Sequence, residues 1–373
     1  MNKVKLRGLI EASLVKQGFE RVNGNLVAPN YDDKQRLQEF HAYAVAHKKK
    51  VAEKQLRGYQ EKLLQRFANG QEVSVLSIKP RLVEVKAGTE EERLFRYATL
   101  LWSIPVSSGY GRRLRFLVID EHNEKLIGII GLADPVYSQK ARDEYIGWTH
   151  DIKKRSLRYV MDAFVLGAVP PYSSLLCGKL VAMLAASNEV RMAFARKYSN
   201  TTSRISEIPT GNRLACVTTT SALGRSSLYN RIKFDERILF QRAGYTTGYG
   251  EFHFSNGVYG AMAKYTNRYC EATDRKEQWG NGFRNRREVI QKCLRKIGMP
   301  TMLLKHGVRR EVFIVPLASN TFEFLREEHT RLRWLNFDTS EISEQFAERW
   351  LRSRTSRYEF VREWKREQLR VWE

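Results

Sequence analysis

The chain has 373 residues, and 64 Lys plus Arg against 41 Asp plus Glu give it a formal net charge of +23. The excess recurs along the whole chain, which points to a polyanionic partner, nucleic acid, with DNA favoured over RNA. Hydrophobic residues at 42% and aromatics at 11% supply apolar mass for two or three cores and exclude a mostly disordered chain.

The longest apolar runs, residues 126–133 and 180–186, fall short of the roughly 20 residues needed to cross a bilayer, and no signal peptide precedes them. No membrane partner is expected, and the location is expected to be cytoplasmic. Cys177, Cys216, Cys270 and Cys293 are far apart and form no CxxC pair. They read as reduced thiols, without a disulfide framework or a zinc site.

In chain order, residues 6–17 have apolar positions at helical spacing, and Asn23-Gly24 joins two short extended runs in a tight hairpin. Residues 32–68 are almost free of Gly and Pro and read as one long helix or two consecutive ones, with the charge run His47-Lys48-Lys49-Lys50 as a solvated face. After Asn69-Gly70 the pattern becomes mixed α/β. Strands are expected at 73–78, 81–85, 114–119 and 126–132, with a helix at 90–102. The strongest hairpin signal flanks Asp120-Glu121-His122-Asn123. A short helix at 151–157 and a strand at 160–169 follow. Pro170-Pro171-Tyr172 then opens a helix whose apolar face includes Leu180, Met183 and Leu184. A strand at 213–219, a helix starting in 226–232 and an aromatic strand pair at 239–254 around Gly248 complete this region.

From residue 275 the chain is basic again. Arg284, Arg286, Arg287, Lys292, Arg295 and Lys296 precede Gly298-Met299-Pro300, and Arg309-Arg310 leads into a strand at 312–315. Asp338 and Glu341 have capping-box spacing ahead of a helix carrying Phe346, Trp350, Tyr358, Val361 and Trp364. The expected organisation is a helical N-terminal region at 1–70 with a small helix–hairpin element, an α/β domain with a mixed sheet at 71–256, and a basic C-terminal region at 257–373 ending in helices.

The order of elements between Arg81 and Phe254 resembles the Gcn5-related N-acetyltransferase fold. Residues 166–186 are similar to that family's fourth strand, cofactor loop and third helix, and residues 213–234 to its fifth strand and fourth helix. The resemblance implies that Tyr229 would occupy the place of a tyrosine that protonates the departing thiolate. One departure matters. A CoA pyrophosphate needs inward-facing N–H groups at a helix start, whereas Pro170 and Pro171 supply none and the family's Gly-x-Gly spacing is missing. The scaffold is therefore expected to have lost CoA, and no cofactor is expected. The chain as a whole resembles the DUF4338 family of Druantia anti-phage defence proteins. The resemblance rests on Ile146-Gly147-Trp148, residues 160–169, 180–187 and 217–231, and His306-Gly307-Val308-Arg309-Arg310. It implies a role in phage resistance beside other Druantia components, including a large helicase-like protein.

Among short segments, Gly224-Arg225-Ser226-Ser227-Leu228-Tyr229-Asn230-Arg231 carries the most chemistry. Hydroxyls at an expected helix start, two arginines and a tyrosine can bind phosphate or stack on a base, the plainer alternative being an N-cap. Arg225, Ser226, Tyr229 and Arg231 are thus candidate nucleic-acid contacts, with Arg284, Arg286, Arg287, Lys292, Arg295, Lys296, Arg309 and Arg310. Glu84-Val85-Lys86 looks like half of a restriction-type metal site whose second carboxylate would be Glu72, yet a solvated strand end explains it more simply. His253 reads as a satisfied core or rim residue and Cys177 as an inert thiol. The leading reading is a nonenzymatic nucleic-acid-binding protein on an acetyltransferase-like scaffold. An acyl-CoA-dependent N-acyltransferase with Tyr229 as general acid is the alternative, and a metal-dependent nuclease the second.

Overall fold

A computed structural model describes residues 1–28, 34–203, 207–254, 257–271, 286–352 and 361–373. Helix α1 (Lys3–Lys16) starts where the Asn2 side chain accepts a bond from the Lys5 N–H at 2.9 Å, and it buries Leu6, Ile10 and Leu14 along one stripe. Strands β1 (Glu20–Val22) and β2 (Asn25–Val27) form the expected hairpin, with φ of +49° at Asn23 and +80° at Gly24. The Gly- and Pro-poor stretch becomes α2 (Lys34–Leu56) and α3 (Gln60–Leu64). The lysine run on α2 is only partly solvated, and burial lowers the Lys48 pKa to about 8.

The centre is a seven-stranded sheet of β3 (Pro80–Glu84), β4 (Arg113–Asp120), β5 (Lys125–Ala133), β6 (Val160–Ala168), β7 (Cys216–Thr220), β10 (Gln241–Tyr245) and β11 (Glu311–Pro316). Its spatial order is β10-β11-β7-β6-β5-β4-β3, and every neighbouring pair is antiparallel except β6 with β7. A separate two-residue pair, β8 (Lys233–Phe234) and β9 (Arg237–Ile238), precedes β10. Side-chain alternation on β4 and β5 divides two cores. Phe116, Val118, Ile130 and Leu132 face one layer, and Leu117, Ile119 and Ile129 face the other. The first layer holds α7 (Cys177–Leu184), α8 (Asn188–Tyr198) and α12 (Thr339–Phe346). The second holds α3, α4 (Glu90–Ala98) and the chain's last residues, with the Tyr97 hydroxyl donating to the Leu369 carbonyl at 2.8 Å. Helices on both faces explain why β5 is buried from Leu126 to Ala133, as near-continuous apolar strands require.

A further core joins the N-terminal region to residues 254–308. Leu6, Ile10, Leu14 and Phe40 pack with residues of α9 (Val258–Tyr269) and α10 (Arg286–Ile297), including Met262, Ile290 and Leu294. The smaller helices α5 (Lys140–Ile146), α6 (His150–Ser156) and α11 (Thr321–Leu325) cluster beside β10 and β11. No helix among the described residues is long and apolar enough to cross a membrane.

Three local expectations are corrected. Residues 73–78 form turns, because the Asn69–Glu72 capping box winds the chain tightly and Val73, Val75 and Ile78 bury as core anchors without a strand partner. Residues 226–232 make a hydrogen-bonded turn instead of a helix. The strand pair expected at 239–254 is β10 alone: Gly248 turns the chain at φ +73°, Phe252–Phe254 forms a 3-10 turn, and β10 finds its partner in β11. The sheet therefore draws an interior strand, β11, from a segment expected beyond the α/β domain. The helix expected behind Asp338 runs from Thr339 to Phe346 and widens at Ala347–Leu351; Val361 and Trp364 are described beyond residue 360, and Tyr358 falls outside the described residues.

Candidate nucleic-acid interface and adjoining cavity

Strands β6 and β7 pair from Val160–Cys216 to Ala163–Thr219 and then separate, while β6 stays bonded to β5 as far as Ala168. A strand held on one side and released on the other opens a wedge. The wedge is a cavity of about 280 Å³ whose walls include Trp102, Tyr110, Asp162, Phe164, Tyr229 and Arg310. Gly109, at φ +67°, lets the covering loop lie against β5 and β6, since a Cβ there would come within 2.8 Å of the Ala133 Cβ.

Asp162 accepts from the Thr218 hydroxyl at 2.7 Å through one carboxylate oxygen. Burial raises its pKa, against the opposing effects of that bond and of Arg142. Tyr229 stacks on Phe240 at 4.7 Å with the rings 11° from parallel, and meets Phe313 edge-on at 5.2 Å. Its hydroxyl bonds Thr219, and burial pushes its pKa up to about 12. The sequence-based idea of Tyr229 as an exposed stacking surface is corrected here. One ring face is committed to Phe240 and the residue is 7% exposed.

Ser226 reads as a cap. Its buried hydroxyl accepts the N–H of Leu228 at 3.2 Å and of Tyr229 at 3.0 Å, and its own N–H donates to buried Glu311 at 2.7 Å. The Glu311 N–H in turn donates to the Gly224 carbonyl at 3.1 Å. These bonds place Arg225 beside Arg309 and Arg310, joining two basic stretches more than eighty residues apart. Arg225 and Arg231 are exposed, and exposed Arg309 lies over the Tyr245 ring at 5.1 Å. Arg310 is different: its Nε is buried without a hydrogen-bond partner, Nη2 lies 3.4 Å from His41 Nε2, and burial lowers its pKa. His41 adds no second positive charge, because burial and Arg310 hold its pKa down at about 3.

The other basic cluster sits apart, on α10. That helix buries Val289, Ile290, Cys293, Leu294 and Ile297 and leaves Arg287, Arg295 and Lys296 exposed. Arg286 lies over the Tyr259 ring at 3.9 Å, and Lys292 pairs with Glu288 at 3.4 Å. Arg284 lies outside the described residues.

The Pro170-Pro171 turn is closed on itself. The N–H groups of Ser173, Ser174 and Leu176 donate to carbonyls within residues 169–173, and the buried Tyr172 hydroxyl donates to Asp120 at 2.8 Å. Lys179, in the first turn of α7, spans to the Leu228 carbonyl at 2.9 Å. These three N–H groups of the turn are thus engaged inside the protein.

Glu84 pairs with Arg196 at 2.6 Å, whereas Glu72 pairs with Lys125 and Arg366 near the other end of β3. The two carboxylates envisaged for a nuclease therefore stand at opposite ends of a strand. No group of three His, Cys, Asp or Glu among the described residues is placed to hold a metal ion. Fully buried His253 makes a 2.7 Å bond with the Leu303 carbonyl through Nε2, so it is a core residue as expected, but its Nδ1 is buried without a hydrogen-bond partner; burial raises the Cys177 thiol well above its usual range. Sequence reasoning missed Asp162 and His41. Asp162 did leave a signal, the lone charge in the apolar strand Val160–Ala168.

The family model described as Druantia protein DruA matches residues 31–327. Druantia protein DruA of Escherichia coli (strain UMEA 4076-1) is 38% identical over 371 residues, covering 99% of this chain and 92% of that protein. No solved structure matches the chain. With both the family model and a full-length relative in agreement, the chain belongs to the Druantia DruA family.

Proposed function

We propose that this protein is a nucleic-acid-binding component of a Druantia anti-phage defence system, working with other Druantia proteins, among them a large helicase-like partner. The observation that carries the binding role is the convergence of Arg225, Arg309 and Arg310 around one turn, in a chain of net charge +23. Exposed arginines supply planar, charge-assisted donors suited to phosphate oxygens. Arg231 extends that surface, and the outer face of α10 offers a second, more solvated strip.

The scaffold is acetyltransferase-like in this reading. Support comes from the strand order, with one parallel pair that splays and a last strand inserted between the preceding strand and the rest. The loss of CoA binding is supported by the self-satisfied turn at residues 169–176. The acyltransferase alternative keeps one observation in its favour: Tyr229 lines the wedge with its hydroxyl on Thr219. A fluorescent oligonucleotide titrated at several salt concentrations tests the first reading, and calorimetry with acetyl-CoA tests the second. Saturable, salt-sensitive oligonucleotide binding without a CoA signal is expected. Tight acetyl-CoA binding with no oligonucleotide binding would reverse the order of the two.

A further inference from the structure

The wedge cavity has two ends of unlike chemistry. At about 280 Å³ it far exceeds the ~10–15 Å³ that one water needs. On the β6 side, Trp102, Tyr110 and Phe164 supply flat apolar walls around Asp162. One oxygen of Asp162 is held by Thr218, and the other meets no hydrogen-bond donor among the described residues. That end suits a planar group with an N–H edge, which a carboxylate recognises and aromatic side chains sandwich. At the other end, the Arg310 side chain meets no carboxylate among the described residues, its Nε is unpartnered, and its neighbour His41 is held neutral. A desolvated guanidinium without a counter-ion suits an incoming anion. Asp162 and Arg310 are not paired with each other, so both remain available to a ligand that spans them.

We propose that the cavity accepts one nucleotide unit, its base between the aromatic walls with an N–H edge on Asp162 and its phosphate at Arg310. The mouth adjoins the surface bearing Arg225 and Arg309, so a strand held there can deliver an extruded nucleotide; a free nucleotide has the same chemistry. The inference rests on the nucleic-acid reading above for the strand as source, though not for the pocket itself.

The test uses the full chain and three probes: a short single-stranded oligonucleotide with or without a central abasic site, deoxynucleoside monophosphates, and acetyl-CoA. Ala222→Trp blocks the mouth from an exposed position, and Asp162→Asn removes the carboxylate charge at nearly constant shape. The expected result is oligonucleotide binding weakened about tenfold by the abasic site or by either substitution, the loss of one stacked and hydrogen-bonded base. Oligonucleotide binding indifferent to all three changes, with no monophosphate binding, overturns the pocket and leaves the surface reading intact. Monophosphate binding abolished by Ala222→Trp, without oligonucleotide binding, supports the pocket for a free nucleotide and overturns the strand. Acetyl-CoA binding abolished by Ala222→Trp assigns the cavity to an acyl carrier and overturns the proposal.

Discussion

Two arginine-rich regions of this protein look alike as sequence and differ as structure. On α10 the basic side chains occupy the outer face of an amphipathic helix, and its apolar face is what fixes it in place. Around Gly224 the arginines are brought from distant segments by strand β11 and by the Glu311 bonds, next to a cavity. The first pattern is what any solvated helix can carry. The second requires the whole sheet, so charge density along a chain says less about a binding surface than convergence in space does.

The largest effect that sharpens this contrast is on stability. Tyr229 packs the turn onto Phe240 and Phe313. Tyr229→Ala is expected to cost about 3–5 kcal/mol in chemical denaturation, as large-to-small aromatic changes in cores do. Arg295→Ala on the exposed face of α10 should stay within about 0.5 kcal/mol.

Next comes binding. Replacing Arg225 and Arg309 together with Ala should weaken oligonucleotide affinity about tenfold and reduce the salt slope by about 1.4 on single strands. Replacing Arg295 and Lys296 together should change affinity less than the first pair does. Equal losses from the two pairs would erase the distinction between the regions.

Acidification separates the regions in another way. Burial depresses His41 and His306 to about 3 and His253 to about 4, below the ~6.5 of an unfolded histidine. Unfolding therefore takes up protons below that value. The contribution is fully present above about pH 6.5 and is lost progressively as pH falls toward the folded values. Denaturation midpoints should drop between pH 7 and pH 5. His253→Gln and His306→Gln, where folded, should flatten that decline, and an unchanged pH profile in both would contradict it. A milder change at the turn is Tyr229→Phe. Losing the Thr219 bond should cost about 1 kcal/mol of stability and leave oligonucleotide binding nearly intact. Loss of phage protection in that variant, with binding retained, would favour the acyltransferase reading.

Local patterns carried the elements whose cause is local. Asn23-Gly24 sets its hairpin by backbone conformation alone, and the alternation in β4 and β5 marks a strand pair with cores on both faces. What was illegible depended on distant partners. Residues 226–232 have helix-start chemistry, yet Glu311 holds Ser226 in a turn from 85 residues away. β10 looked like half of a local pair because β11, its real partner, follows only after α9 and α10. The basic residues of the candidate site could be named from sequence. Their grouping, the burial of Tyr229 and the cavity could not, since the first depends on β11 and the Glu311 bonds, the second on Phe240 and Phe313, and the third on the parting of β6 and β7.

The most direct measurement of the central claim is the affinity of the full chain for a fluorescent oligonucleotide across a salt series, read beside the Arg225→Ala, Arg309→Ala double variant. A protein of net charge +23 that binds through this surface should show log affinity falling linearly and steeply with log salt, with a shallower slope in the variant. Affinity that stays flat from low to physiological salt, or a variant with the parent's slope and affinity, would contradict the account.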